Sequence, residues 1–207
     1  MTRKKHIGLF FGTFNPIHVG HLVIANYMAQ RNEIDEVWFV VSPLNPLKTK
    51  ASILPDYHRL RLVNEAIFEN PLLQASDIEF NLPQPSYTID TLTYLTEKYP
   101  AYQFSVIMGE DNLKTLPKWK NYQEIIKNYG VLVYPRVSTE YDLNFKSDPE
   151  EIQKILSQPN VTFCSEVPVM AISASFIRKQ IRNKKNVQYL LTPTVAKYIE
   201  EMHFYEK

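Results

Sequence analysis

A doubly wound α/β fold with a mostly parallel sheet is predicted from three observations. Short runs without polar side chains, such as Ile7–Phe11, recur along the chain; strands of this kind are buried on both faces, as in parallel sheets. Stretches with helical apolar spacing alternate with those runs nearly throughout, the pattern of successive βαβ units. The first strand, helix and second strand fit within about 35 residues, the span of one right-handed crossover. A length of 207 residues favours one domain. It is read here as residues 1–207, with a helical C-terminal part over about 173–207.

Taken in order, Ile7–Phe11 is the first strand, with Gly12 behind it. A helix is expected over Ile17–Gln30, where Leu22, Ile24, Ala25 and Met28 repeat at helical spacing; Asn15 is its expected N-cap and Pro16 its first residue. Glu36–Val41 is a second buried strand. Ser42–Leu54 is too polar and too broken by proline to be an element. Leu60, Val63 and Ile67 place a helix over Asp56–Phe68, and Leu73–Phe80 is expected to be extended. A helix over Thr88–Tyr99, a strand over Gln103–Met108, a helix over Trp119–Tyr129 and a strand over Val131–Tyr134 continue the alternation. Thr139–Pro149 reads as loop. A polar helix near Glu151–Leu156, a last strand at Val161–Cys164, and helices over Ser173–Asn183 and Pro193–Tyr205 complete the chain.

The 23 basic and 22 acidic residues leave a net charge of +1, so no global field recommends nucleic acid or a membrane surface as partner. The single cysteine, Cys164, excludes an internal disulfide and a cysteine-based zinc site, and fits a reducing compartment. The basic opening Met1–Lys5 precedes an apolar run too short for a signal peptide. A cytoplasmic protein is expected.

Only five glycines occur in the chain, yet Gly8, Gly12 and Gly20 fall near its start. In an open parallel sheet, ligands bind beyond the carboxyl ends of the strands, where the strand order reverses. Gly12-Thr13-Phe14-Asn15-Pro16-Ile17-His18-Val19-Gly20-His21 follows the first strand. His18 and His21 are three apart and share one helical face, in first turns that favour an anion. Gly12 permits close backbone approach. Glycine inside a helix costs up to about 1 kcal/mol against alanine, so Gly20 between two imidazoles asks for a reason; access for a triphosphate would be one. Two surface histidines on a capped helix, or a metal pair, are the other readings at this point. No Gly-Lys-Ser/Thr follows and no Gly-x-Gly-x-x-Gly occurs, which removes both common phosphate loops. At the start of a late helix, Ile172-Ser173-Ala174-Ser175-Phe176-Ile177-Arg178 offers Ser173 as N-cap. Ser175 and Arg178 on one face make a second anion site.

The first stretch resembles the signature of the nucleotidyltransferase superfamily, Gly-Thr/Ser-Phe-Asp/Asn-Pro-x-His-x-Gly-His. In that superfamily the two histidines hold the phosphates of a nucleoside triphosphate during attack on its α-phosphate. The second resembles the superfamily's Ile-Ser-Ser/Thr-Thr/Ser-x-Ile-Arg element on the β- and γ-phosphates, with Ala174 a mild departure. Pro85-Ser86-Tyr87-Thr88-Ile89-Asp90-Thr91-Leu92 and Leu116-Pro117-Lys118-Trp119-Lys120-Asn121-Tyr122 are similar to segments of the bacterial nicotinate-mononucleotide adenylyltransferase family. The resemblance implies that Trp119 stacks on the pyridine ring and that Thr88, with nearby N–H groups, reads the nicotinate carboxylate. Met108-Gly109-Glu110-Asp111-Asn112-Leu113 resembles the family's Gly-x-Asp-x-Leu turn, where the acid contacts a ribose. Relatives carry Pro-Pro-His-Lys after the second strand; here Ser42-Pro43-Leu44-Asn45-Pro46-Leu47-Lys48 lacks the histidine.

The resemblance implies adenylyl transfer from ATP to nicotinate mononucleotide, with pyrophosphate released. His18, His21, Lys48 and Arg178 are the expected catalytic residues. Gly12, Thr13, Phe14, Gly20, Gly109, Asp111, Ile172, Ser173 and Ser175 join His18, His21 and Arg178 around ATP, whereas Asn15, Lys48, Ser86, Tyr87, Thr88 and Trp119 receive the mononucleotide. Mg²⁺ is expected to arrive with ATP, and no protein ligand is named for it. The alternatives are another nucleotidyltransferase, such as a phosphopantetheine adenylyltransferase or a cytidylyltransferase, and a non-catalytic nucleotide sensor.

Overall fold

The computed structural model describes residues 3–43, 53–136 and 148–207. Lys48 and most of the two loops read at Ser42–Leu54 and Thr139–Pro149 lie outside the described residues. The elements run β1 (Lys5–Gly12), α1 (Val19–Ala29), β2 (Glu36–Val41), α2 (Asp56–Ile67), β3 (Leu73–Ser76), α3 (Thr88–Lys98), β4 (Tyr102–Gly109), α4 (Glu110–Leu113), α5 (Tyr122–Asn128), β5 (Gly130–Tyr134), α6 (Pro149–Leu156), β6 (Val161–Phe163), α7 (Ala174–Arg182) and α8 (Pro193–Glu201).

The six strands form one sheet in the order β3-β2-β1-β4-β5-β6, and every pairing is parallel. The fold is the doubly wound sheet expected from the alternation of apolar runs and helices. Its order reverses between β1 and β4, so a crevice opens beyond Gly12 and Gly109.

Alternate side chains of the central strands feed two cores. Phe10, Val37, Phe39 and Ile107 pack with α1, α2, α7 and α8. Ile7, Leu9, Trp38, Val40, Val106 and Met108 pack with α3, α4, α5 and α6. Burial on both faces is why these strands read as continuous apolar runs. No helix among the described residues is long and apolar enough to cross a membrane.

Four expectations are corrected. Asn15 and Pro16 precede α1, whose N-cap is His18; the Asn15 side chain is committed to tertiary contacts instead. Beyond Ser76 the chain leaves the sheet, because β2 offers partners only for Leu73–Ser76. Ile78–Asn81 then forms a 3₁₀ turn that buries Ile78 and Glu79. Trp119 is not helical: Leu116–Lys118 is a 3₁₀ turn closed by Trp119 N–H on the Leu116 carbonyl at 2.9 Å. Asn121 then takes a left-handed φ of 51° and α5 starts after it. The last helix stops at Glu201, and Met202–Tyr205 turns back with φ of 54° at His203 and 66° at Tyr205.

Candidate active site

The loop from Gly12 to His18 occupies the crevice at the end of β1. Phe14 adopts a left-handed φ of 44°, which turns its ring back over Gly12. A Cβ on Gly12 would lie 2.8–3.2 Å from that ring, so only glycine fits beneath it. The Phe14 ring is 2% exposed and packs edge-on against Phe39 and His21. It therefore supports His21 from the core.

His18 and His21 stack with ring centroids 3.7 Å apart. His21 Nδ1 accepts the His18 backbone N–H at 3.3 Å, so the imidazole proton of a neutral His21 sits on Nε2. Burial, aided by the Arg136 guanidinium, lowers the pKa of His18 to about 4. Burial, the neighbouring His18 and Arg136 press His21 well below its ordinary value. Both rings are neutral near pH 7 in the free protein and act as hydrogen-bonding groups, not cations. A Cβ on Gly20 would come within 3.1 Å of His18 Nδ1 and 3.8 Å of the Ile172 Cβ. Gly20 thus makes room for the imidazole and brings the second motif against the first.

The sign of the His18 shift sets a stability prediction. Its folded pKa lies below the unfolded value of about 6.5, so its contribution is intact above that pH and is lost as the pH falls towards about 4. At about 1.36 kcal/mol per pKa unit this is roughly 3 kcal/mol. Urea unfolding between pH 7 and pH 4 is expected to show the loss, and His18→Gln to remove that part of the slope. An unchanged slope in the variant would mean that His18 titrates normally in the fold.

Arg178, on α7, donates to the Asn15 carbonyl at 2.7 Å from 163 residues away. The two phosphate-type motifs are therefore in contact. Ser173 caps α7 as expected, accepting the Phe176 N–H at 3.2 Å, and its hydroxyl lies 3.0 Å from that of the exposed Ser175.

Opposite them, at the end of β4, Asp111 Oδ2 accepts from Arg136 at 2.6 Å, and Asp111 Oδ1 is buried without a hydrogen-bond partner among the described residues. A Cβ on Gly109 would lie 2.4 Å from Asp111 Oδ1, so the carboxylate folds over this glycine and a larger residue here would have to displace it. Arg136 lies two residues beyond β5. The rule that ligands meet residues beyond strand ends near the reversal point applies to it, but the sequence reading passed over it.

Arg59 was also missed. It is wholly buried, and its guanidinium donates to the carbonyls of Thr13 (2.6 Å), Ser42 (2.8 Å) and Leu54 (3.0 Å) and pairs with Asp56. An arginine three residues into an ordinary amphipathic helix carries no signal that it will reach two neighbouring loops. Asn15 is 3% exposed; its Oδ1 accepts from Leu54 N–H at 3.2 Å and from the Tyr205 hydroxyl at 2.7 Å.

The segment Ser86–Thr88 leads into α3, whose N-terminus has no side-chain cap. Lys120 Nζ lies 2.9–3.0 Å from the two Asp90 carboxylate oxygens and 4.8 Å from the centre of the Tyr87 ring. These contacts hold the Trp119 segment against the start of α3. Trp119 is half-buried against the second core, with part of its surface open. Glu79 is 3% exposed; burial raises its pKa, and it accepts the Thr91 hydroxyl at 2.8 Å behind the same segment.

Comparison with known proteins identifies the family and the fold. A family model described as cytidylyltransferase-like matches residues 9–180. The chain is 52% identical over 201 residues to a Flavobacterium psychrophilum protein named "Probable nicotinate-nucleotide adenylyltransferase", with 97% of this chain and 99% of that protein covered. A protein of the same name from Christiangramia forsetii is 46% identical over 206 residues, with both chains covered in full. Among solved structures, the fold is shared with a Plasmodium falciparum nicotinic acid mononucleotide adenylyltransferase complexed with NaAD, at a TM-score of 0.75, 20% identity and 98% coverage of each chain. The chain belongs to the cytidylyltransferase-like family of nucleotidyltransferases and, within it, to the nicotinate-nucleotide adenylyltransferases.

Proposed function

We propose that the protein joins nicotinate mononucleotide to the AMP moiety of ATP, giving deamido-NAD and pyrophosphate. The observation that carries this reading is the contact of Arg178 with the Asn15 carbonyl, three residues before the stacked imidazoles. It brings donors from both ends of the chain to one crevice at the strand-order reversal.

In the reaction an oxygen of the mononucleotide phosphate attacks the α-phosphorus of ATP in line. The new P–O bond forms as the bond to the β-phosphate oxygen breaks, and the electron pair leaves on pyrophosphate. The nucleophile is already largely a dianion near pH 7, so no general base is required. Catalysis is then positioning and charge stabilisation. Neutral His18 and His21 donate hydrogen bonds, while Arg178 and Arg136 supply positive charge; Lys48 joins them in the sequence reading. Gly12 and Thr13 would line the triphosphate with main chain, and Ser173, Ser175 and the start of α7 would meet it from the other side with Ile172. Asp111 is assigned to the ribose beside Gly109. Arg136 engages Asp111 through Oδ2. Mg²⁺ is assigned to the triphosphate itself, where it would neutralise charge.

On the other side of the crevice, Asn15, Ser86, Tyr87, Thr88 and Trp119 are assigned to the mononucleotide. The uncapped N-terminus of α3 suits a carboxylate, and the open face of Trp119 suits a flat ring. Trp119→Ala is expected to raise the KM for the mononucleotide severalfold while the KM for ATP stays near wild type. An equal rise in both, measured by steady-state kinetics, would return Trp119 to a packing role.

The reaction itself is tested by pyrophosphate release with nicotinate mononucleotide, nicotinamide mononucleotide and phosphopantetheine, each supplied with ATP or CTP. Release with ATP and nicotinate mononucleotide is expected. Release with phosphopantetheine alone, or binding without release, would replace the reading with one of the rivals.

A further inference from the structure

The turn after α8 takes no part in the chemistry proposed above, yet it reaches the phosphate loop. His203 and Tyr205 both hold left-handed backbone angles, 54° and 66°, a region that side-chain-bearing residues adopt at an energetic cost. That bend aims the Tyr205 hydroxyl inward from 190 residues away, to 2.7 Å from Asn15 Oδ1. The same oxygen accepts Leu54 N–H at 3.2 Å, and the Asn15 carbonyl accepts Arg178 at 2.7 Å. A backbone N–H can only donate, so the amide orientation of Asn15 is fixed: oxygen towards Leu54 and Tyr205. Burial raises the Tyr205 pKa, so its hydroxyl stays a donor through the physiological range. Arg178, a proposed phosphate ligand, thus meets the same residue whose side chain Tyr205 engages, and His18 follows it three residues later in the loop.

We infer that Tyr205 is a positioning residue: its hydroxyl locks Asn15, and through Asn15 it sets the spacing between Arg178 and His18 across the polyphosphate. The inference rests on the proposed reading of the site. Geometry of this kind matters because a misplacement of about 1 Å can cost about 100-fold in rate.

Tyr205→Phe deletes only the hydroxyl and keeps the ring beside Phe204. It is expected to lower kcat for pyrophosphate release about tenfold, with KM for ATP changed less than twofold. In an Asn15→Ala background the same substitution is expected to add no further loss, because the group it acts through is gone. Amide exchange over residues 13–18, followed without substrate, is expected to quicken in Tyr205→Phe while the central strands stay protected. Wild-type kcat in Tyr205→Phe, an equal loss in the Asn15→Ala background, or general loss of the fold would each overturn the role. If the wild-type protein released no pyrophosphate, the reading of the function would fail. The exchange measurement would still decide whether Tyr205 holds the loop.

Discussion

His18→Ala is expected to lower kcat about 100- to 1,000-fold, the usual effect of removing one preorganised transition-state donor. The ring is 5% exposed, stacked on His21 and wedged against Gly20, so it is aimed before any ligand arrives. Its Nδ1 has no hydrogen-bond partner among the described residues. A buried polar atom left in that state is disfavoured, and a phosphate oxygen would relieve it. Mononucleotide affinity, measured by titration, is expected to change little, because the proposed reading assigns the ring to the triphosphate. Turnover within threefold of wild type would remove His18 from the chemistry. His18→Gln, which keeps a side-chain donor, is expected to recover part of the loss.

The second large effect is on stability. Arg59→Met is expected to destabilise the fold by about 3–5 kcal/mol, the order expected when three buried carbonyls each lose their donor. In a chain of this size that corresponds to a fall in melting temperature of roughly 6–20 °C. Most of the loss comes from three carbonyls, on Thr13, Ser42 and Leu54, left facing a side chain that cannot donate. Asp56 is partly exposed and can turn to water. Arg59→Lys is expected to recover only a fraction, since one ammonium cannot replace a planar fork that meets several acceptors at once. A melting temperature within two degrees of wild type for Arg59→Met would show that water takes over those carbonyls. Because Arg59 holds the Thr13 carbonyl, the methionine variant is also expected to lose activity below its melting temperature.

Much of the site was legible because its chemistry is local. The stretch from Gly12 to His21 places two imidazoles, a glycine between them and a strand end in one short segment, and spacing alone predicts that they meet. Ser173 as a cap and Arg178 on the same helix follow from helical geometry for the same reason. Asn15 misled the reading. Next to Pro16 it has the local chemistry of a cap, but two donors from distant segments hold its side-chain oxygen. Phe14 differs in another way: its ring lies within the ligand motif and is buried in the core. The neutrality of the histidines was not legible either, because it comes from burial and from Arg136.

The amino-acid sequence by itself determined the alternation of strands and helices, the doubly wound sheet, and the two motifs from which the family resemblance was read. All of these depend on periodicity, turn chemistry and short spacing. Tertiary structure alone decided which distant groups converge: Arg59 under the loop, Arg136 on Asp111, and Tyr205 on Asn15. The physical reason is that a long polar side chain finds its partner through space. Its value to the site depends on burial and on donors supplied by segments up to 190 residues away, and no local pattern encodes either.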